Sequence, residues 1–142
     1  MRIWQRLRAW WQKPETPLHL RRGALGERAA RKHLKRAGLK FLTANFKSEH
    51  GEIDLVFREG DCLVFVEVKT RSSEEWGRPA AAVNAAKQRS LSLAALDYLR
   101  RLGNPPVKFR VDIAEVLLSD GRVREVRHLP NVFSLSHPFR YG

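Results

Sequence analysis

The sequence predicts an α/β domain, a mixed sheet of about five strands flanked by helices. Two segments of the domain carry apolar residues at helical spacing, and five shorter segments are rich in the apolar and β-branched residues of strands. Their order is helix, strand, hairpin, long helix, strand, strand, which suits a layered domain with helices on both faces of the sheet. A chain of 142 residues, 43% of them hydrophobic, can bury one real core.

Residues 1–22 are predicted to form a basic, Trp-rich extension, and the domain is expected to span residues 23–136, followed by a tail, 137–142. Pro14 and Pro17 mark the break before the domain. The extension holds six Lys or Arg residues and one Glu, and its apolar residues recur at helical spacing: Ile3, Leu7, Trp10 and Trp11. Such a helix could lie on a membrane surface, touch nucleic acid, or pack its Trp side chains on the domain.

The first helix of the domain is predicted over residues 23–37, with Gly38 ending it. Glu27 lies near the start of this helix, where the helix dipole favours a carboxylate, and an ion pair with Arg31 is open to it. Residues 39–46 predict the first strand, followed by a polar loop.

Residues 51–71, GEIDLVFREGDCLVFVEVKTR, predict a β-hairpin, because two apolar runs flank a short polar turn. If Gly60 and Asp61 form a two-residue loop, with Gly first as a type II′ turn prefers, the strand register follows. Three apolar pairs then share one face: Ile53 with Val68, Leu55 with Val66, and Phe57 with Val64. On the other face Asp54 lies opposite Glu67 and Glu52 opposite Lys69, unless a bulge breaks the parity.

Opposed carboxylates repel, so Asp54 and Glu67 require a raised pKa, a cationic neighbour or a bound metal. Mg²⁺ takes oxygen ligands, commonly one or two carboxylates together with substrate phosphates. Lys69 lies on the same face, roughly 7 Å along the strand, where its ammonium group could steer a water or stabilise a phosphate oxygen. The alternative is a half-buried strand whose charged residues simply lie on a solvated face.

The second half of the chain predicts a polar loop, a long helix and two strands. The loop after Arg71 carries Arg78 and is expected to lie beside the carboxylates. Lys87 falls on the helix and either faces the site or is solvated. The predicted helix spans residues 80–102, the strands span 107–118 and 123–129, and Asp120-Gly121 forms the turn between them. Asp112, beside Arg110 in an apolar strand, is predicted to be structural or to support the site.

The net charge of +12 and the pI near 10.8 favour a polyanionic partner, and nucleic acid is the usual one. The ordinary alternative is a soluble surface with excess Lys and Arg. A single cysteine, Cys62, excludes an internal disulfide and fits a reducing cytosol, so we expect a cytoplasmic protein. The five His residues show no zinc-like spacing, and no apolar run approaches membrane-spanning length.

The arrangement of Asp54, twelve intervening residues, and Glu67-Val68-Lys69 resembles the PD-(D/E)xK nuclease core of restriction endonucleases and archaeal junction resolvases. More closely, residues 23–133 look like the bacterial YraN-like family of predicted endonucleases. The matching positions are Gly26-Glu27, Asn45, Gly51 to Leu55, Phe65 to Lys69, Arg71, Gly77, Pro79, Lys87, Arg110 and Asp112. Two positions depart from the pattern: Val111 replaces the usual Phe, and Ile53 stands where the motif has Pro.

The resemblance implies a restriction-endonuclease-like fold and Mg²⁺- or Mn²⁺-dependent hydrolysis of DNA, with branched or repair intermediates as candidate substrates. It implies that Asp54, Glu67 and the Val68 carbonyl hold the metal while Lys69 orients the attacking water. Glu52 would hold Lys69 or a second metal, and Glu27 would complete an acidic rim. Tentative nucleic-acid contacts are Arg71, Arg78 and Lys87, and a homodimer is an open alternative because junction-cutting relatives often dimerise. The rival is a catalytically inactive nucleic-acid-binding or scaffold protein with the same fold.

Overall fold

The computed structural model describes residues 18–72 and 84–133. Within them lie two helices and five strands: α1 (Leu18–Arg36), β1 (Lys40–Ser48), β2 (Gly51–Glu59), β3 (Cys62–Ser72), α2 (Ala85–Arg101), β4 (Lys108–Ser119) and β5 (Arg122–Phe133). The strands form one sheet in the order β1-β2-β3-β4-β5, with β3 and β4 parallel and the other neighbours antiparallel. This confirms the predicted α/β class, and the arrangement is consistent with a restriction-endonuclease-like fold. Neither helix in these segments is long and apolar enough to cross a membrane.

Several predicted features fall outside the described residues. They are most of the N-terminal extension, the loop with Trp76, Gly77, Arg78 and Pro79, and the C-terminal tail. The described part of the chain therefore contains both candidate metal-binding strands but not the loop that was expected to flank them.

Helix α1 begins at Leu18 rather than at residue 23, so the predicted start was wrong by five residues. The prediction placed the boundary at Gly23. A glycine inside a helix weakens it by about 1 kcal/mol relative to alanine but does not end it, and packing of the apolar face decides the outcome. That face is well buried: Ala30 and Leu34 are fully inaccessible to solvent.

The two faces of the sheet carry separate apolar clusters. The α1 side joins the helix to the sheet through Ala30, Leu34, Leu39, Leu55, Phe57, Val64, Val66, Ala114, Val116 and Leu118. The α2 side contains Ile53, Val56, Leu63, Phe65, Leu91, Ala94, Ala95, Leu99, Val111 and Ile113. Because both faces are apolar, the central strands read as nearly continuous hydrophobic runs rather than as strict alternation.

The predicted hairpin register is confirmed from Glu59↔Cys62 to Leu55↔Val66. Gly60 has φ +59°, the left-handed backbone that the first position of a type II′ turn requires. The prediction of a single apolar face extending to Ile53 was wrong, because Ile53 packs on the α2 side whereas Leu55 packs on the α1 side.

The change of face between Ile53 and Leu55 has a counterpart on the neighbouring strand. On β1, Ala44 pairs with Leu55 on the α1 side, and Phe46 pairs with Ile53 on the α2 side. Asn45, between them, has φ +54°, a conformation that asparagine tolerates better than most residues. Both strands therefore switch faces at the level of Asn45 and Asp54, which leaves polar side chains where a regular ladder would have continued.

At the opposite end of the sheet, Asp112 holds β5 against β4. Its carboxylate is fully buried and accepts hydrogen bonds from Arg110 Nε (3.0 Å) and the Asn131 N–H (2.9 Å), and it lies 2.7 Å from His128 Nε2. Arg110 also contacts Glu59 at 3.2 Å. These contacts agree with the predicted structural role of Asp112.

Candidate active site

Asp54 lies where the paired ladder between β2 and β3 ends. The backbone N–H of Val68 donates a hydrogen bond to Asp54 Oδ2 at 2.8 Å. Val68 lies beyond the last paired residues of the ladder, Leu55↔Val66, so its N–H bonds to a side-chain oxygen of β2 instead of a backbone carbonyl. The expected side-by-side placement of Asp54 and Glu67 as a regular cross-strand pair was therefore wrong. The two carboxylates approach each other at a divergence of the strands instead.

Four carboxylates interact electrostatically where the strands diverge, and the raised pKa of Asp54 shows this interaction. Burial raises the pKa of Asp54 most, the charge of Glu67 raises it further, and the charges of Glu27 and Glu52 add to it. The Val68 hydrogen bond acts in the opposite direction, and the pKa of Asp54 reaches about 7. The structure thus brings together Asp54, Glu67, Glu52 and Glu27, four of the five predicted catalytic residues.

Asn45 connects the two peripheral carboxylates of this group. With its amide oriented so that the NH₂ group faces the acids, it donates to Glu27 Oε1 and to Glu52 Oε1, each at 3.2 Å. Burial raises the pKa of Glu27, the Asn45 hydrogen bond lowers it, and the charge of Glu52 raises it. Asn45 had no role assigned from the sequence, where it was only a position matching the family.

A close contact between α1 and β3 holds Glu27 over the sheet. A Cβ atom added at Gly26 would lie 2.1 Å from Thr70 Oγ1 and 3.3 Å from Thr70 Cβ. Only a glycine permits the helix to approach the strand this closely. Since Glu27 is the next residue of the same helix, this contact accounts for the Gly26-Glu27 pair in terms of geometry.

The other side of the group is bounded by helix α2. Lys87 Nζ lies 3.2 Å from Glu67 Oε1, so of the two alternatives left open for Lys87, facing the site or being solvated, its position agrees with the first. The Lys87 backbone N–H donates to the side chain of Asn84, the N-cap of α2, at 2.8 Å. The cap fixes the first turn of the helix and with it the origin of the Lys87 side chain.

Lys69 and Arg71 continue along β3 beyond Glu67. Lys69 is half-buried and lies in register with Glu115 of β4. Arg71 is largely buried, with its side chain 11% exposed, and its Nη1 atom lies 3.6 Å from Glu115 Oε2. The guanidinium of Arg71 is thus turned to an internal ion pair, whereas Arg78, the other predicted arginine contact, lies outside the described residues.

The donor atoms at this site are oxygens. In residues 18–72 and 84–133, no group of three or more His, Cys, Asp and Glu side chains is arranged to hold a metal ion together. A cation held by Asp54 and Glu67 would therefore complete its shell with the Val68 carbonyl, with water or with a substrate oxygen, as Mg²⁺ sites commonly do.

Comparison with known proteins matches most of this chain to one protein family. A sequence model described as "Uncharacterised protein family UPF0102" matches residues 26–116. A UPF0102 protein of Symbiobacterium thermophilum is 46% identical over 112 residues, which cover 78% of this chain and 94% of that protein. UPF0102 proteins of Rhodococcus jostii (40% over 111 residues; 78% and 94% covered) and Geobacter metallireducens (41% over 115 residues; 81% and 93%) are similarly close. The printed names of these relatives state no reaction.

Proposed function

The chain belongs to the uncharacterised protein family UPF0102, and we propose that it is a metal-dependent phosphodiesterase that cuts DNA. The observation that carries this proposal is the gathering of three carboxylates, Glu67, Glu27 and Glu52, around the half-buried Asp54. Burial first, and then the charges of these neighbours, raise the pKa of Asp54 to about 7. A folded protein that gathers acidic groups at a break in its own sheet loses stability by doing so, and a divalent cation is the ligand that reverses this loss.

The residues present fit Mg²⁺ or Mn²⁺. Asp54, Glu67 and the Val68 carbonyl are hard oxygen donors, and they lie on the adjacent strands β2 and β3, just beyond the last paired residues, Leu55↔Val66. When bound, the cation would supply Lewis acidity toward a phosphodiester oxygen and the attacking water. The carboxylate of Asp54 must be ionised to take part, so cation binding and loss of the Asp54 proton are coupled.

The remaining residues have roles of their own in this proposal. Lys69 orients the water and offsets charge that develops on the phosphate. Glu27 and Glu52, held by Asn45, form the rim of the site and keep the local field negative until a cation arrives. Lys87, 3.2 Å from Glu67, balances the charge of that carboxylate in the absence of a cation.

DNA as the substrate is supported by the charge of the chain, +12, together with the carboxylates. The acidic site alone would repel a nucleic acid, so attraction must come from the surrounding Lys and Arg side chains. We propose branched DNA or repair intermediates as the specific substrates, because the sequence resembles junction-cutting nucleases. The assignment to the YraN-like endonucleases is likewise a proposal.

The test compares the wild-type protein with Asp54→Asn and Glu67→Gln, purified in parallel. We expect cleavage of a four-way junction or of linear duplex DNA with Mg²⁺ or Mn²⁺, and at least a hundredfold loss in either variant. Asp61→Asn, in the exposed β2–β3 turn, removes one carboxylate elsewhere and should cleave like the wild type. The proposal fails if no DNA is cut with any divalent ion, or if all three variants retain equal activity.

A second candidate is a nucleic-acid-binding protein without turnover. It is favoured by the Glu67–Lys87 ion pair and by the absence of a three-ligand group among the described side chains. Calorimetric titration with Mn²⁺ separates the two: the enzyme requires binding that disappears in Glu67→Gln, whereas the binder needs no cation and retains its DNA affinity in EDTA.

A further inference from the structure

Helix α1 carries a row of exposed basic side chains along one side. Arg28, Arg31, Lys32, Lys35 and Arg36, here called the α1 basic stripe, line a shallow surface groove of about 410 Å³. Their spacing of three or four residues places them along one side of the helix. From the first to the last position the stripe is about 12 Å long, at 1.5 Å per residue.

The stripe has little charge compensation from its own helix. Glu27 is the only acidic residue of α1, and its carboxylate is hydrogen-bonded to Asn45 at the carboxylate site. Like charges three and four residues apart on a helix destabilise it. A helix that keeps five cations in this arrangement is suited to an extended anionic partner, whose binding would remove the repulsion.

The shape of the surface favours a polynucleotide over a membrane. A helix that inserts into a bilayer surface needs its apolar face free, but the apolar face of α1, with Ala30 and Leu34, is fully buried against the sheet. Duplex DNA carries one phosphate charge per roughly 1.7 Å of helix axis, so a 12 Å row of cations spans several phosphates. Arg31 also packs 3.5 Å over the ring of Phe41, which gives the stripe a fixed point on the sheet.

We propose that the α1 basic stripe binds the phosphate backbone of a nucleic-acid duplex by charge, without reading its base sequence. The choice of nucleic acid as the partner rests on the proposed function. Arg31 lies four residues, about one turn, after Glu27 and therefore on the same side of the helix, so the stripe continues from the rim of the carboxylate site along α1. A duplex seated there would have one part at the carboxylates and the adjoining part on the stripe.

The test is fluorescence anisotropy with a labelled 30-base-pair duplex, in EDTA, at NaCl concentrations from 50 to 300 mM. The test variant is Arg28→Gln/Lys32→Gln/Lys35→Gln, which leaves the Arg31–Phe41 contact intact. The matched control is Arg58→Gln/Lys108→Gln/Arg122→Gln, three exposed residues at strand ends that also lower the net charge from +12 to +9. A third variant, Arg28→Lys/Lys32→Arg/Lys35→Arg, keeps every charge.

We expect the test variant to bind about tenfold or more weakly at 100 mM salt, and its plot of log Kd against log salt to lose about 2 to 3 in slope, at about 0.9 per phosphate contact. The control and the charge-keeping variant should bind and melt like the wild type, and the test variant should melt at the same temperature or higher, because it loses repulsion within α1. The proposal is overturned if the test variant and the control lose equal affinity, if the charge-keeping variant also loses it, or if only binding to phosphatidylserine vesicles is lost. Because EDTA excludes cleavage, failure here is distinct from failure of the proposed enzyme, which Asp54→Asn tests.

Discussion

The side chain of Asp54 accepts a hydrogen bond from the backbone N–H of Val68, at 2.8 Å, just beyond the last paired residues of β2 and β3. The contact does two things at once. It satisfies an amide that the separating strands leave without a ladder partner, and it fixes a carboxylate beside Glu67. The site residues therefore lie on strands of the sheet rather than on a surface loop. Their charges affect the stability of the fold as well as the chemistry of the site.

Asp54→Asn should make the ligand-free protein more stable at neutral and alkaline pH. The pKa of Asp54 is about 7 in the folded state against an ordinary value of 3.8, so the unfolded chain releases this proton first. The stability associated with protonated Asp54 is fully present below pH 3.8 and is lost as pH rises through 7. Asparagine keeps an acceptor for the Val68 N–H and carries no charge.

Urea unfolding at several pH values measures this effect. The advantage of Asp54→Asn should be small near pH 4, grow toward pH 7 and level off above it at about 2–4 kcal/mol. Asp61→Asn, on the exposed turn, serves as the control and should show no such trend. An advantage that is constant with pH would show that burial and the neighbouring carboxylates do not raise the pKa of Asp54.

Lys87→Gln should strengthen binding of Mn²⁺ if the cation is held by Glu67. The Lys87 ammonium lies 3.2 Å from Glu67 Oε1 and competes with a cation for that oxygen. Since the lysine side chain is 42% exposed, its attraction is screened and contributes no more than about 1 kcal/mol. We therefore expect the Kd for Mn²⁺ to fall by roughly 1.5- to 5-fold in calorimetry. Arg58→Gln is the control, and a weaker affinity in Lys87→Gln would contradict the competition.

Asn45→Ala should destabilise the protein through two separable causes. Alanine is disfavoured at φ +54°, and it removes the hydrogen bonds to Glu27 and Glu52. Together these should reduce the free energy of unfolding by about 1–3 kcal/mol at pH 8. Asn45→Gly removes the hydrogen bonds but accepts the backbone conformation, so it isolates the second cause.

The pH dependence of Asn45→Gly is the informative measurement. If the amide stabilises the ionised Glu27 carboxylate, the loss of stability should shrink as the pH falls and Glu27, whose pKa is raised by burial, takes up a proton. An equal loss at pH 4 and pH 8 would mean that the Asn45 amide does not favour the charged form of Glu27.

The fold class and the register of the central hairpin could be predicted from the sequence, because apolar runs and the Gly60-Asp61 turn are local signals. The sequence did not predict that Ile53 and Leu55 pack on opposite faces of the sheet. Both residues are apolar and both are buried, so periodicity cannot distinguish the sides to which they point. The left-handed backbone of Asn45 on the neighbouring strand is a tertiary feature, although an asparagine amid apolar residues was a weak signal of it.

The members of the candidate site were predictable in the same partial way. The carboxylates Asp54, Glu67 and Glu52 followed from the strand pattern, whereas Glu27 was assigned to the site only through the family resemblance. The geometry that brings Glu27 in depends on Gly26 meeting Thr70, residues 44 positions apart. A contact between a helix and a distant strand leaves no local pattern in one sequence, so this part required the structure.

Gly26→Ala tests that contact directly. A Cβ atom at position 26 would lie 2.1 Å from Thr70 Oγ1 and 3.3 Å from Thr70 Cβ, so the Thr70 side chain, the helix or the strand must shift. Overpacking of this kind costs about 1–3 kcal/mol, and the better helix propensity of alanine recovers up to about 1 kcal/mol of it. We expect a net loss of stability and, because Glu27 moves with the helix, a weaker affinity for Mn²⁺.

Gly23→Ala is the matched control, since a Cβ atom there meets nothing within 4 Å. It should stabilise the protein by about 0.5–1 kcal/mol through helix propensity alone. Gly26→Ala combined with Thr70→Ala should recover stability relative to Gly26→Ala, because the added methyl group then has space. If the double variant is no more stable than Gly26→Ala, the close approach of α1 to β3 is not set by these two residues.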